Sequence, residues 1–118
     1  MQKKNSSKKK LSEIGYTDDL NIEIINATNN EKRKKYTNYL FKKLQREQGL
    51  LERDCDKLIR NDRVIWSTCM VACGDADAMV TGNTRRYSSS LEKVSTVVNA
   101  RPGEIIFGLN LVLVWPEL

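Results

Sequence analysis

The chain has 118 residues, a formal net charge of +5 and no histidine, so it holds one domain at most. Five of its basic residues are lysines within the first ten positions, and the rest of the chain carries equal numbers of basic and acidic residues. This distribution argues against nucleic acid as a partner of the remainder. No apolar run reaches the roughly 18 residues that a membrane-spanning helix needs, which argues against a membrane partner.

The N-terminal segment, residues 1–19, begins M-Q-K-K-N-S-S-K-K-K. Such a polar, self-repelling stretch cannot bury apolar area, and it predicts a disordered tail. Nuclear localisation or contact with nucleic acid is the functional alternative for this tail. The domain itself is predicted over residues 20–118.

The first elements of that domain are a strand and a helix. Residues 20–27, L-N-I-E-I-I-N-A, alternate apolar and polar positions and predict a short strand. Side chains of residues 28–30 can cap a helix that runs to about Gln48, and Gly49 is placed to end it. One face of this helix is basic, either as a solvated face or as a surface that steers phosphates.

Three further helices and two strands follow. One helix is predicted at residues 51–60 and another at 87–98. Between them, a helix is predicted that is capped by Asn61-Asp62 and ends at about Cys73. A short strand is predicted at 78–81 and a long strand at 105–115. The long strand is an almost continuous apolar run, which is typical of a strand buried inside a parallel sheet. The sequence therefore predicts an α/β fold: a partial three-layer α/β/α arrangement with a mostly parallel sheet, incomplete as it stands.

The three cysteines Cys55, Cys69 and Cys73 read as small apolar core residues of a reducing cytoplasm. A zinc site normally needs four Cys or His ligands, so no metal site is predicted. Without histidine, a Cys-His or Ser-His nucleophile is also excluded within this sequence. We expect a cytoplasmic location.

The segment 53–103 resembles the phosphate acetyl/butyryltransferase family, most clearly in its central stretch A-C-G-D-A-D-A-M-V-T-G-N-T-R-R-Y. More narrowly, it resembles the phosphotransacetylase-like C-terminal domain of bacterial NADP-dependent malic enzymes. The core G-D-A-D-x-M-V-[ST]-G spans Gly74 to Gly82, and T-R-x-Y follows it. The E-x-V-x-x-V-x-x-x-x-P-G pattern from Glu92 to Gly103 continues the match, which covers about residues 20–114.

The resemblance implies acyl transfer between acetyl phosphate and coenzyme A, or a domain that responds to acetyl-CoA and supports oligomerisation. The family's catalytic residues lie beyond the matched segment, so no catalytic residue and no activity of the chain alone are expected. We expect acetyl-CoA, CoA or acetyl phosphate as a ligand and no other cofactor. As a protein partner we expect a second copy of the chain, in a homo-oligomer, or a complementary chain of the same split or decayed gene. The alternative is a small interaction module that docks through the apolar strand 105–115.

Two groups of site residues follow from this segment. A ligand-binding group lies where the strand at 78–81 ends, with hydroxyls for an acyl or phosphate oxygen and arginines for phosphates: Thr81, Gly82, Asn83, Thr84, Arg85 and Arg86. For the arginines, a solvated helix start is the alternative. The second group, Gly74, Asp75 and Asp77, forms a structural turn, although the two carboxylates could also act as a general acid and base.

Overall fold

The computed structural model describes residues 2–16, 21–82 and 84–116. Within them it has five α-helices, numbered α1 to α5: Gln2–Glu13, Lys32–Gln48, Glu52–Asn61, Arg63–Ala72 and Tyr87–Val97. A turn of 3-10 helix at Ala27–Asn29 precedes α2. The four helices predicted from the apolar periodicity are therefore confirmed, each with its ends within two residues of the prediction.

Local side chains and glycines fix the helix ends. The Asp62 carboxylate accepts the backbone N–H of Val64 at 2.9 Å and caps α4, as the sequence predicted. The Asn30 side chain accepts the N–H of Lys32 at 2.9 Å beside the start of α2. Gly49 ends α2 in the left-handed conformation, with φ of 65°. A residue with a side chain adopts this conformation only at a cost, which explains the glycine.

The core lies between α2, α3, α4 and α5. Helix α2 packs against α3 and α4, and α4 packs against α3 and α5. The ring of Trp66 meets that of Tyr36 edge to face, with centroids 4.9 Å apart, which is a favourable aromatic geometry. The buried residues of this hydrophobic cluster are Tyr36, Leu40, Leu44, Cys55, Ile59, Ile65, Trp66, Cys69 and Val97. Two of the cysteines thus lie in the core as small apolar residues.

The predicted α/β fold with a mostly parallel sheet is wrong for this structure. In the described part of the chain no residue is in a strand, and residues 21–26, 78–81 and 105–115 form no sheet. A strand needs a neighbouring strand to satisfy its N–H and C=O groups, whereas a helix satisfies them within itself. These three segments do not pair with one another. The run at 105–115, predicted to be buried, is consequently exposed.

The N-terminal segment is helical in the structure, where the sequence predicted disorder: α1 covers residues 2–13, with exposed polar side chains from Asn5 to Lys10. The predicted boundary between tail and domain, at residues 19 and 20, lies outside the described residues and stays a prediction. Among the described helices, none is both long and apolar enough to cross a membrane. The cytoplasmic location stays a prediction.

Candidate functional site

The turn after α4 is closed by backbone hydrogen bonds around a glycine. Gly74 has φ of 75°, and its N–H reaches the carbonyl of Val71 at 3.1 Å. The N–H of Asp75 reaches the carbonyl of Met70 at 2.8 Å. This pair of bonds is the Schellman arrangement, which satisfies the last carbonyls of a helix and needs a left-handed residue at the glycine position.

The Asp75 carboxylate holds that turn against α2. It accepts hydrogen bonds from Lys35 Nζ at 2.9 Å and from Tyr36 Oη at 2.8 Å, and Lys32 Nζ lies 3.5 Å away. The hydrogen bonds from Lys35 and Tyr36 lower the pKa of Asp75 to about 2. Burial and the bond to Asp75 in turn raise the pKa of Tyr36. The geometry gives Asp75 a structural role and keeps it ionised at neutral pH.

Asp77, the second aspartate of the turn, is exposed. Within the part of the chain that the structure describes, its carboxylate has no hydrogen-bond or ion-pair partner. The structure therefore does not join Asp75 and Asp77 into one acid–base pair, because the first is held by α2 and the second faces solvent.

The predicted ligand-binding residues form an exposed loop before α5. Thr81, Gly82, Thr84, Arg85 and Arg86 are all exposed. The sixth predicted residue, Asn83, lies outside the described residues. Arg86 is the N-cap residue of α5, and its guanidinium makes no contact that would fix it among the described side chains. Its exposure leaves it available to an external anion.

Arg85 differs from its neighbours because it faces Asp62. Its Nη1 lies 3.4 Å from Asp62 Oδ1 and 3.5 Å from Oδ2. These distances exceed the roughly 2.7–2.9 Å of a good charge-assisted hydrogen bond. Lys93 of α5 binds the same carboxylate more closely. Arg85 is therefore the more weakly held of the two cations on Asp62.

The pKa of Asp62 depends on its burial and on its hydrogen bonds with Lys93 and the backbone of Val64. Burial acts to raise it, but the hydrogen bonds from Lys93 and from the Val64 N–H outweigh that effect and lower the pKa below its ordinary value. Asp62 is thus ionised at neutral pH, and it serves at once as the cap of α4 and as the counter-ion of Lys93 and Arg85. Sequence patterns indicated only the cap, because Lys93 is 31 residues away.

A cavity of about 730 Å³ opens beside this cluster. Arg85 is the only predicted ligand-binding residue among its described lining residues. Its apolar wall includes Trp66 and Met70, and Arg60 and Arg63 add positive charge beside Asp62. The Trp66 indole N–H is buried without an acceptor among the described residues. The sequence did not predict this cavity. The only local sign of it was the pair of arginines that flank Asn61-Asp62.

The basic face of α2 is largely engaged within the protein. Arg33 binds both oxygens of Asp56 at 2.6 Å, and this bond lowers the pKa of Asp56. Lys43 Nζ lies 3.0 Å from the Asn99 amide oxygen, while Lys32 and Lys35 face Asp75. The structure thus favours intramolecular pairing over a phosphate-steering surface for this face. No group of three metal-binding side chains occurs in the described residues.

The family described as phosphate acetyl/butaryl transferase matches residues 1–116. The chain therefore belongs to this family. No solved structure matches it.

Three curated proteins are similar to the chain. It is 44% identical over 92 residues to a probable NADP-dependent malic enzyme of Rickettsia prowazekii and 43% identical over 96 residues to the NADP-dependent malic enzyme of Rhizobium meliloti. These matches cover 78% and 81% of the chain but 12% of each malic enzyme. A phosphate acetyltransferase of Helicobacter pylori is 28% identical over 83 residues, 70% of the chain and 16% of that protein. The resemblance to a segment of the malic-enzyme C-terminal domain is therefore confirmed.

Proposed function

We propose that this chain binds an acyl-CoA or acyl phosphate through Arg85 and the adjoining cavity, and that it performs no acyl transfer by itself. The observation that carries the proposal is the position of Arg85, on the cavity lining and on a long contact with Asp62. An anionic ligand can take Arg85 from Asp62 without leaving the carboxylate unpaired, because Lys93 stays bound to it.

The cavity suits such a ligand in size and chemistry. Its volume lies within the roughly 300–1,000 Å³ of small-molecule sites. Trp66 and Met70 offer apolar contact, and Arg63 and Arg85 offer charge-assisted hydrogen bonds to phosphate oxygens. Arg60 also lines the cavity, but its Nε already lies 3.3 Å from Asp56 Oδ2. Two similar proteins are malic enzymes and one is a phosphate acetyltransferase. This supports an acetyl-CoA-responsive regulatory role, in which the bound ligand would act on a larger assembly.

Titration with acetyl-CoA and with CoA tests this proposal. At a ligand concentration ten times Kd, binding to the folded state adds about 1.4 kcal/mol, which raises Tm by about 5 °C for a domain of this size. Arg85→Ala should abolish the rise in Tm, and Arg86→Ala should reduce it. Arg53→Ala is the control, because Arg53 is 82% exposed on α3 and lies outside the described lining of this cavity.

Asp62→Asn gives a prediction of the opposite sign. It removes the carboxylate charge that competes for Arg85, so we expect acetyl-CoA to bind several-fold more tightly by isothermal titration calorimetry. A folded wild-type protein that shows neither heat of binding nor a Tm shift would contradict the proposal. An equal loss of binding in the Arg53 control would show that only general charge is involved.

A second candidate function is an interaction module that docks through the segment 105–115. The observation in its favour is the exposure of that segment, whose large apolar side chains are between 56% and 96% exposed. Apolar patches larger than a few hundred Å² are uncommon on monomers and mark contact surfaces. In this function, the chain adds a strand to an assembly with another protein chain and does not act by binding a small ligand.

A further inference from the structure

The segment 105–115 combines exposed apolar side chains with free backbone groups. In the described residues after Glu104, no backbone hydrogen bond joins this segment to the rest of the protein. The exposed large side chains are Ile105, Ile106, Phe107, Leu109, Leu111, Val112, Leu113, Val114 and Trp115. In an extended conformation, such a segment can be satisfied by another strand through main-chain hydrogen bonds.

The two faces of such a strand differ in bulk. Successive side chains of an extended chain point to opposite faces, so odd-numbered and even-numbered residues separate. The odd face consists entirely of large apolar residues, from Ile105 to Trp115. The even face holds Gly108 and Asn110 together with Ile106, Val112 and Val114. One face is therefore suited to burial, and the other has a polar amide at its centre.

We propose that two copies of this chain pair their 105–115 segments as an antiparallel ribbon centred on Asn110. In this register Phe107 faces Leu113 and Leu109 faces Leu111 of the second copy, so large apolar residues meet on the odd face. The segment holds no charged residue. No like charges therefore oppose one another, and the two Asn110 amides meet at the twofold axis, where they can exchange hydrogen bonds.

The second copy is favoured over other occupants by symmetry and by area. An antiparallel pair of identical segments has a twofold axis, and twofold dimers close on themselves. Nine large apolar side chains at these exposures present on the order of 1,000 Å² per copy. Burying about half of it in each copy gives roughly 1,000 Å² or more in total, the lower range of a specific interface. This inference rests on the second candidate function and is independent of ligand binding at Arg85.

Opposite charges at the twofold position test the register. Asn110→Lys and Asn110→Glu each place like charges across the axis and should each give the 13.5 kDa monomer by sedimentation equilibrium. An equimolar mixture of the two variants should restore a dimer of twice that mass. Because Asn110 is exposed, neither change should disturb the helical core, which circular dichroism checks. Asn21→Lys, at another exposed asparagine, is the control and should remain dimeric.

Each outcome decides the inference. A monomeric wild type, or assemblies that grow beyond a dimer, would overturn it. A dimer that persists in both single variants, or a mixture that stays monomeric, would overturn the proposed register. Acetyl-CoA titration of the monomeric variants separates the two proposals. Ligand binding without a wild-type dimer leaves the Arg85 proposal standing, and a dimer without ligand binding leaves this one standing.

Discussion

Replacing Asp62 by asparagine removes one negative charge and keeps an oxygen that can cap α4. Asparagine caps helices as well as aspartate, so this change isolates the charge. The Asp62 side chain is 16% exposed and that of Lys93 is 31% exposed. Hydrogen bonds to charged groups contribute about 1.5–3 kcal/mol, and the exposure of Lys93 reduces this, so we expect a loss of about 1–2 kcal/mol in the free energy of unfolding. Asp62→Ala should cost about 1 kcal/mol more through the lost cap.

The loss should also depend on pH. The pKa of Asp62 lies below its ordinary value in the folded protein. A carboxyl group of this kind stabilises the fold above its unfolded pKa of about 3.9, and the stabilisation is lost as the pH falls through the folded pKa. The difference in unfolding free energy between wild type and Asp62→Asn should therefore be complete at about pH 6 and shrink below about pH 4.

Urea unfolding followed by circular dichroism measures these differences. Asp54→Asn is a matched control, because Asp54 is 45% exposed and lies 4.0 Å from Arg53, a surface pair that should contribute less than about 0.5 kcal/mol. A double-mutant cycle with Lys93→Met should give a coupling energy of about 1 kcal/mol. A loss in Asp62→Asn that equals the control, or that is the same at pH 6 and pH 3, would refute the reasoning.

Two further predictions concern the turn and the thiols. Gly74→Ala should lower the free energy of unfolding by about 1 kcal/mol in urea titrations, because the φ of 75° at this position strains any residue with a side chain. Gly82→Ala is the control and should be nearly neutral, because the φ of Gly82 is not positive and an added Cβ meets open space at both positions. Equal effects of the two changes would contradict this reasoning. Burial raises the pKa of the Cys69 thiol to about 12. A thiol reagent at pH 8 should therefore label the partly exposed Cys73 first, and Cys69 only when the protein unfolds. Equal labelling rates of the two thiols in the folded protein would count against the placement of Cys69 in the core.

The candidate site was predictable only in part. Arg85 was identified because it lies just after the motif that ends at Gly82, and Gly74 because helix ends favour glycine. Their partners were not predictable, because Asp75 binds Lys35 across 40 residues and Arg85 faces Asp62 across 23. Pairings at such separations depend on how α2, α4 and α5 pack. The cavity depends on the same packing, and no local pattern indicated it.

The sequence by itself determined the helices α2 to α5 and their ends, together with the family. Helical periodicity, the Asp62 cap and the glycines Gly49 and Gly74 act within a turn or two of chain, so they can be recognised locally. Only the tertiary structure determined whether the apolar segment 105–115 is buried in a sheet or exposed to solvent. Its composition is that of a buried strand, but a strand is stable only where a neighbour satisfies its backbone and covers its side chains. The described residues provide no such neighbour, and the segment stays exposed.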